Sequence, residues 1–433
     1  FGMFELGIGL VAVLIVPIYG WVPYTAESLI DKFSSDYSSL LRMQFLLIIA
    51  ITAVPTLMMG AIFPLVTRAL AQADDDAAAA TGRAYAVNTI GTITGSFLAG
   101  FVLIRSDVLG VQHSIVLASV LNGVVGAALV LAARRPGAKF FGPRTTTALV
   151  ALMLIPAFGC WWGQWDKSLM NSAPYLGRQT IAQYLKDSKV LFYAEGVDVT
   201  AAVMNTAPQN PDAITITING KPDASTGTPI DMTNNLLLGH MPALLNPGGK
   251  DACIVGLGSG LTVAALSCYP GFERIDCVEM SDEVIDAAKY FAPYTYDVIN
   301  SDARVHMIRG DGRNHLLLTD QKYDVIASEP PNPWLAGVAN LFTREYFELG
   351  REHLKDGGLM SVWLQGYSVS AEDFRMVIHT LYEVFDWVSL WEFTDVDYML
   401  VAGMGPPRIN WSDFEQQFWL PSVQMDLYQI GRA

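Results

Sequence analysis

Cysteine and cationic charge are both scarce in this chain. Its 433 residues hold only Cys160, Cys253, Cys268 and Cys277, all in apolar or strand-like contexts and none in C-x-x-C spacing. That excludes a disulfide framework and a cysteine metal site. His306, His315, His353 and His379 show no ligand spacing either, so no metal is expected. Lys and Arg number 27 against 42 Asp and Glu, a net charge of −15. Such a surface repels phosphate backbones, so nucleic acid is not an expected partner, and the surplus acid reads first as a solubility device. Charge of either sign is sparse at the start: residues 1–163 hold 8 acidic and 9 basic side chains, and the remaining 34 and 18 follow.

What fills that charge-poor stretch is apolar sequence. Five segments, Met3–Pro23, Met43–Val66, Ala86–Ile104, Val111–Ala133 and Thr146–Gly163, are long enough to span about 30 Å of hydrocarbon. The third is the least apolar, and its Gly91, Gly95, Ala99 and Gly100 suit close packing between membrane helices. Inside the spans the one Asp, Glu, Lys or Arg is Glu5, near an end, with Pro17, Pro55 and Pro64 as kinks. A transport pathway is expected to carry more intramembrane charge, so an anchoring bundle is the better reading. The chain opens inside an apolar helix, and earlier residues, whole helices among them, are expected before it. The loops Val66–Tyr85 and Arg134–Thr145 carry Arg68, Arg83, Arg134, Arg135, Lys139 and Arg144; Lys32, Arg42 and Arg105 lie opposite. This bias puts the C-terminal domain outside, whereas a nucleotide-type ligand argues for the cytoplasm, and the topology stays open.

From residue 164 the pattern changes. Residues 164–186, with Trp165, read as an interfacial linker after Trp161 and Trp162. Three alternating runs, Val190–Glu195, Val199–Asn205 and Ala213–Asn219, predict a small antiparallel β-subdomain over 187–230. A helix over Asp231–Leu245 then leads into alternating strands and helices. Strands are expected at Ala252–Gly256, Ile275–Met280, Val305–Ile308, Asp324–Ser328 and Leu359–Leu364, with helices starting near Gly260, Ser281, Thr343 and Ser370. Trp387–Phe393 and Tyr398–Ala402 add a hairpin. The fold class is therefore an α-helical transmembrane bundle (1–163) followed by α/β: the β-subdomain and a doubly wound Rossmann-like sheet over 231–405, with 406–433 as a tail.

The richest stretch of chemistry is Ile254–Glu279. An apolar strand runs into Gly256, Gly258, Ser259 and Gly260, and Glu279 ends the next strand. Glycines let the backbone turn and approach a ligand at a helix N-terminus, and an acid about 20 residues on suits ribose hydroxyls. Gly310-Asp311-Gly312 follows the third strand, placing a carboxylate to accept from a base amine. Glu329 follows the fourth in a stiff Glu-Pro-Pro-Asn-Pro loop, a candidate general base. Together these predict a nucleoside pocket.

Tyr193-Ala194-Glu195-Gly196, Ile218-Asn219-Gly220, His240, Gly256–Gly260, Val278-Glu279, Gly310-Asp311-Gly312, Tyr323–Ile326 and Asn340-Leu341-Phe342 occur in the order and spacing of spermidine synthases. The chain resembles these polyamine aminopropyltransferases, which share the fold of S-adenosylmethionine-dependent methyltransferases. Its first half, at PTLMMGAIFPL and AYAVNTIGTITGSFLAGFVL, resembles bacterial proteins in which several helices precede such a domain. The resemblance implies a multi-pass protein of the bacterial inner (cytoplasmic) membrane. It implies binding of S-adenosylmethionine or its decarboxylated form by Gly256–Gly260, Glu279, Asp311 and Gly312, with Glu329 as base. Departures cluster at the acceptor side. The family's Gly-Gly-Gly-Asp-Gly reads Gly256-Leu257-Gly258-Ser259-Gly260, its Asp-Ser-Ser-Asp-Pro reads Glu329–Pro333, and its second Asp becomes Asn332. Its Tyr-His pair becomes Asn234-Asn235 ahead of His240, itself read as a core histidine before a ligand, and its Gln falls near Asp223.

Three functions follow. The first is a membrane-anchored transferase moving an aminopropyl or related group to a small amine other than putrescine, with Asp223, Asn234, His240 and Asn332 at the acceptor. The second is an inactive relative serving as an assembly subunit of a membrane complex. The third is a transporter regulated by a nucleoside-binding domain.

Overall fold

The computed structural model describes residues 1–73, 77–133, 143–176, 179–333, 337–405 and 409–431. Arg134, Arg135 and Lys139, named above, lie outside them. The chain forms two compact units: Phe1–Asp187 with Ala194–Val197, and Ser188–Tyr193 with Asp198–Ala433.

In the first unit, α1 (Gly2–Tyr19), α3 (Tyr37–Ala73), α4 (Ala77–Leu98), α5 (Gly110–Ala132) and α6 (Pro143–Trp162) follow the expected apolar segments. All five are long and apolar enough to cross a bilayer. Between α1 and α3 lies α2 (Val22–Phe33), whose polar face hid it from a search for apolar runs. Close helix packing is seen between α1 and α5. A Cβ on Gly9 would stand 2.5 Å from the Ser119 carbonyl oxygen, and one on Gly126 2.5 Å from the Leu6 nitrogen. A Cβ on Gly91, Gly95 or Gly100 would meet no described atom within 4 Å. Within this unit α4 lies along α3.

The second unit is an α/β domain with two sheets. The small antiparallel sheet has four strands in the order β1 (Lys189–Glu195), β2 (Thr200–Asn205), β3 (Ile214–Ile218), β4 (Lys221–Ser225). β4 was not foreseen because Lys-Pro-Asp reads as a turn. Pro222 is tolerated there because β4 is an edge strand and a register irregularity lies beside it.

The main sheet is mixed. β5 (Asp251–Val255), β6 (Arg274–Glu279), β7 (Val305–Arg309), β8 (Tyr323–Ser328) and β9 (Leu354–Gln365) run parallel, with β11 (Asp397–Gly403) and β10 (Trp387–Thr394) as an antiparallel edge. The spatial order is β10-β11-β9-β8-β5-β6-β7. Both faces of the central strands are packed by apolar side chains. Ala252 and Ile254 enter one core with Ile275, Val325 and Val401, while Cys253 and Val255 enter the other with Val278, Ile326 and Val362. The predicted helix starts are observed as caps at Gly260, Ser281, Thr343 and Ser370; Ser370 Oγ accepts from Asp373 N at 3.0 Å. Residues 406–433, expected as a tail, instead hold helices Trp411–Phe418 and Pro421–Gln429, with Val423, Leu427 and Ile430 in the core.

Candidate active site

Strand order reverses between β5 and β8, and at such a switch point an open α/β sheet leaves a crevice beyond its strand ends. Gly256 follows β5 and Glu329 follows β8, with Glu329 N donating to Val255 O at 2.9 Å. The approach is close enough to demand glycine. Gly256 has φ +97°, and a Cβ there would sit 2.8 Å from the Glu329 carbonyl oxygen. Gly258 has φ +52°, and its Cβ would stand 3.5 Å from Glu329 Oε1.

One pocket gathers most of the expected residues. Gly256, Gly258, Glu279, Asp311, Gly312, Glu329 and Asp223 line it, with Trp363, Ile218 and Val199 among the apolar walls. Glu279 is buried; Oε2 accepts from Leu257 N at 3.0 Å and Oε1 from Ser281 N at 2.9 Å. Burial raises its pKa, and these amides oppose the shift. Asp311 is exposed and caps the helix Gly312–Leu318, Oδ1 accepting from Asn314 N at 2.7 Å. Gly312 leaves no room for a side chain, because a Cβ would stand 2.4 Å from Val255 Cγ1.

Glu329 is held by Asn235, named in the sequence only as a departure from the family's Tyr-His pair, and by Thr262, which the sequence did not single out. Asn235 Nδ2 donates to Oε1, and Thr262 Oγ1 donates to Oε2 at 2.9 Å. Desolvation pushes the Glu329 carboxyl up to about 8; the two donors pull it down, while the Asp223 and Glu279 charges add to the rise. This favours the protonated form at neutral pH. Asp223 is ion-paired with Lys221, yet desolvation still raises its pKa, and its Oδ2 is buried without a hydrogen-bond partner among the described residues.

Other expected residues lie behind this surface. Ser259 is buried and Gly260 packs against Ile299; neither lines the pocket. His240 does not line it either. It is fully buried, with Nδ1 3.0 Å from Tyr269 Oη and Nε2 3.3 Å from Asp426 Oδ2. It thus ties Pro229–Leu245 to the C-terminal helix. Asn234 Oδ1 is buried without a partner among the described residues and outside the pocket lining, while its neighbour Asn235 makes the contact to Glu329. Asn332 is fully buried and likewise absent from the lining. Among the described residues no group of His, Cys, Asp and Glu could hold a metal ion.

A Rossmann-like α/β domain with carboxylates at successive strand ends defines the class to which the second unit belongs. More narrowly, residues 233–395 match the family described as spermine/spermidine synthase domain. Putrescine N-methyltransferase 2 of Nicotiana attenuata is 30% identical over 181 residues, covering 39% of this chain and 47% of that protein. A polyamine aminopropyltransferase of Clostridium perfringens (strain SM101 / Type A) is 33% identical over 121 residues, 28% of this chain and 42% of its own. The chain thus spans about half the length of the curated relatives it matches. A spermidine synthase solved with the transition state analogue AdoDATO aligns at 18% identity with a TM-score of 0.46, over 57% of this chain and 89% of its own.

Proposed function

We propose that this chain is a membrane-anchored transferase that binds S-adenosylmethionine or its decarboxylated form and moves an aminopropyl or related group to a small amine other than putrescine. One observation carries the reading: Glu279, Asp311 and Glu329, at the ends of β6, β7 and β8, line one pocket with the positive-φ glycines. A pocket whose charged side chains are acceptors fits a ligand rich in donors, such as ribose hydroxyls, an exocyclic amine and an amine acceptor. The relatives are named for methyl transfer and for aminopropyl transfer, so the transferred group is part of the proposal. The five apolar helices support the bilayer as partner; the bacterial inner membrane as location rests on the resemblance, with either face open to the soluble unit.

In this reading Glu279 receives the ribose hydroxyls and Asp311 the adenine amine. The ligand supplies a sulfonium-activated carbon. Glu329, once ionised, takes the proton as the acceptor nitrogen forms its N–C bond, while the C–S bond breaks and its electron pair returns to sulfur. Alignment of the amine with that carbon accounts for most of the rate gain available to such a site.

A second reading, an inactive subunit of a membrane complex, is favoured by the engagement of both Glu329 oxygens by Asn235 and Thr262 and by the raised pKa of that carboxyl. Calorimetry of the purified protein with S-adenosylmethionine, its decarboxylated form and methylthioadenosine separates the two. Binding of at least one is expected; no binding of any at millimolar concentration leaves the subunit reading.

A further inference from the structure

Asp426 is a fully buried carboxylate on the C-terminal helix Pro421–Gln429, and it does not line the pocket. A buried acid is costly unless it is well partnered, so its contacts indicate its use. Oδ1 accepts from Tyr296 Oη at 2.8 Å and from Gln429 Nε2 at 3.3 Å. Oδ2 lies 3.3 Å from His240 Nε2 and 3.4 Å from Cys268 Sγ. One turn earlier, Ser422 Oγ donates to the Cys268 carbonyl oxygen at 2.8 Å.

His240 and Cys268 belong to the two helices that hold Glu329. His240 is on Pro229–Leu245 with Asn235, and Cys268 caps Leu261–Ser267, which carries Thr262. Asn235 and Thr262 are the two donors to the Glu329 carboxyl. The two helices meet at van der Waals distance: a Cβ on Gly239 would stand 2.7 Å from the Thr262 carbonyl oxygen. Thr262 Oγ1 also lies 2.9 Å from the Asn235 carbonyl oxygen. At the helical rise, His240 lies about 7.5 Å along its helix from Asn235, and Cys268 about 9 Å from Thr262. Asp426 therefore joins one end of both helices, and Glu329 is gripped between them further along.

Docking of the C-terminal helix does not by itself call for this acid. Val423, Leu427 and Ile430 already enter the core, and apolar burial is non-directional. Polar contacts at set distances add what burial lacks, a fixed register between the helices.

Resting on the transferase reading above, we propose that Asp426 is a positioning residue for Glu329. From the C-terminal helix it sets the spacing of Asn235 and Thr262, and with it the place of the carboxyl group that receives the acceptor's proton.

The test is infrared titration of the full chain in detergent, with the Glu329 carboxyl band identified by its loss in Glu329→Gln. The titratable groups facing Glu329 are Asp223 with its partner Lys221, Glu279, the Cys277 thiol and, in the pocket lining, Asp311. Each variant leaves all of them in the chain. Both donors pull the Glu329 midpoint down, so loosening them should raise it, whereas loss of the Asp426 charge alone would lower it. Asp426→Ala should raise the midpoint by at least about 0.5 pH unit, and the isosteric Asp426→Asn should stay within about 0.2 of the native value. Ser422→Ala, a milder loss of the tie to Cys268, should move it upward by a smaller step. Methylthioadenosine affinity, read by calorimetry, should stay within about threefold in all three, which reports that they fold. If Asp426→Ala does not bind methylthioadenosine, Ser422→Ala decides. An unmoved or lowered midpoint in the deciding variant, or an equal shift in Asp426→Ala and Asp426→Asn, overturns this inference alone. If the native chain does not bind methylthioadenosine, the transferase reading fails and the positioning of a base falls with it.

Discussion

Asn235 and Glu329, 94 residues apart, are joined by a hydrogen bond from Asn235 Nδ2 to Glu329 Oε1. With Thr262 on the other oxygen, this fixes the carboxyl group that closes β8 against the helix that precedes β5. The arrangement holds a carboxyl group in a desolvated place with a raised pKa, as a general base for an amine requires. It also makes that group's protonation the controlling variable of the site.

Transfer activity, measured with any accepted amine, should therefore rise through a pH of about 8 on its acid limb. Both donors pull the Glu329 value down, so Thr262→Val should move the inflection to higher pH. Glu329→Gln should remove the limb together with at least about 100-fold of the rate, the usual contribution of general base catalysis. A rate flat from pH 6 to 9 would dismiss Glu329 as the base.

The same group shapes stability. Its carboxyl titrates near 8 in the folded chain against an ordinary 4.5, so between those values the folded state keeps a proton that the unfolded state has lost. Stability from this source is full below about 4.5 and declines as pH rises towards 8. Part of the side chain faces the pocket, which screens the effect. Glu329→Gln should therefore gain ~1–2 kcal/mol at pH 8 and almost nothing at pH 5, read from thermal denaturation of the detergent-solubilised protein.

Glu279 should govern nucleoside affinity. Glu279→Ala removes a charged acceptor and leaves the Leu257 and Ser281 amides without their partner. Methylthioadenosine binding should weaken by roughly 1.5–3 kcal/mol, the range for hydrogen bonds to a charged group, in calorimetry at pH 7.5.

Gly256→Ala should damage the site and the fold together. It places a Cβ 2.8 Å from the Glu329 carbonyl oxygen at a φ of +97°. A loss of about 1–3 kcal/mol of stability is expected, with methylthioadenosine binding abolished, while Gly248→Ala, open on all sides, should change neither.

The side of the membrane can be read with a membrane-impermeant thiol label on Gln209→Cys, an exposed position in the turn between β2 and β3. We expect protection in intact cells and labelling after lysis, because S-adenosylmethionine is held in the cytoplasm. Labelling in intact cells would favour the assembly-subunit reading.

Local rules made much of this protein legible before any coordinates. Apolar run length marked the five long helices. Strand alternation and the caps at Ser281, Thr343 and Ser370 marked the mixed sheet, because each depends on residues within a few positions of one another. The glycine loop and the acids closing β6, β7 and β8 were visible for the same reason: a parallel sheet brings strand ends together whatever their separation in the chain. Tertiary structure decided the rest. It chose Asn235 and Thr262 as the partners of Glu329, turned His240 away to Asp426, and packed α1 against α5 through glycines. It also made helices of residues that read as a tail. Helices as short as Trp411–Phe418 and Pro421–Gln429 gain little from their own hydrogen bonds and form only where a core receives Val423 and Leu427. Each of these outcomes is a long-range contact, whose energy depends on which surfaces the fold brings together and is not written in the neighbouring residues.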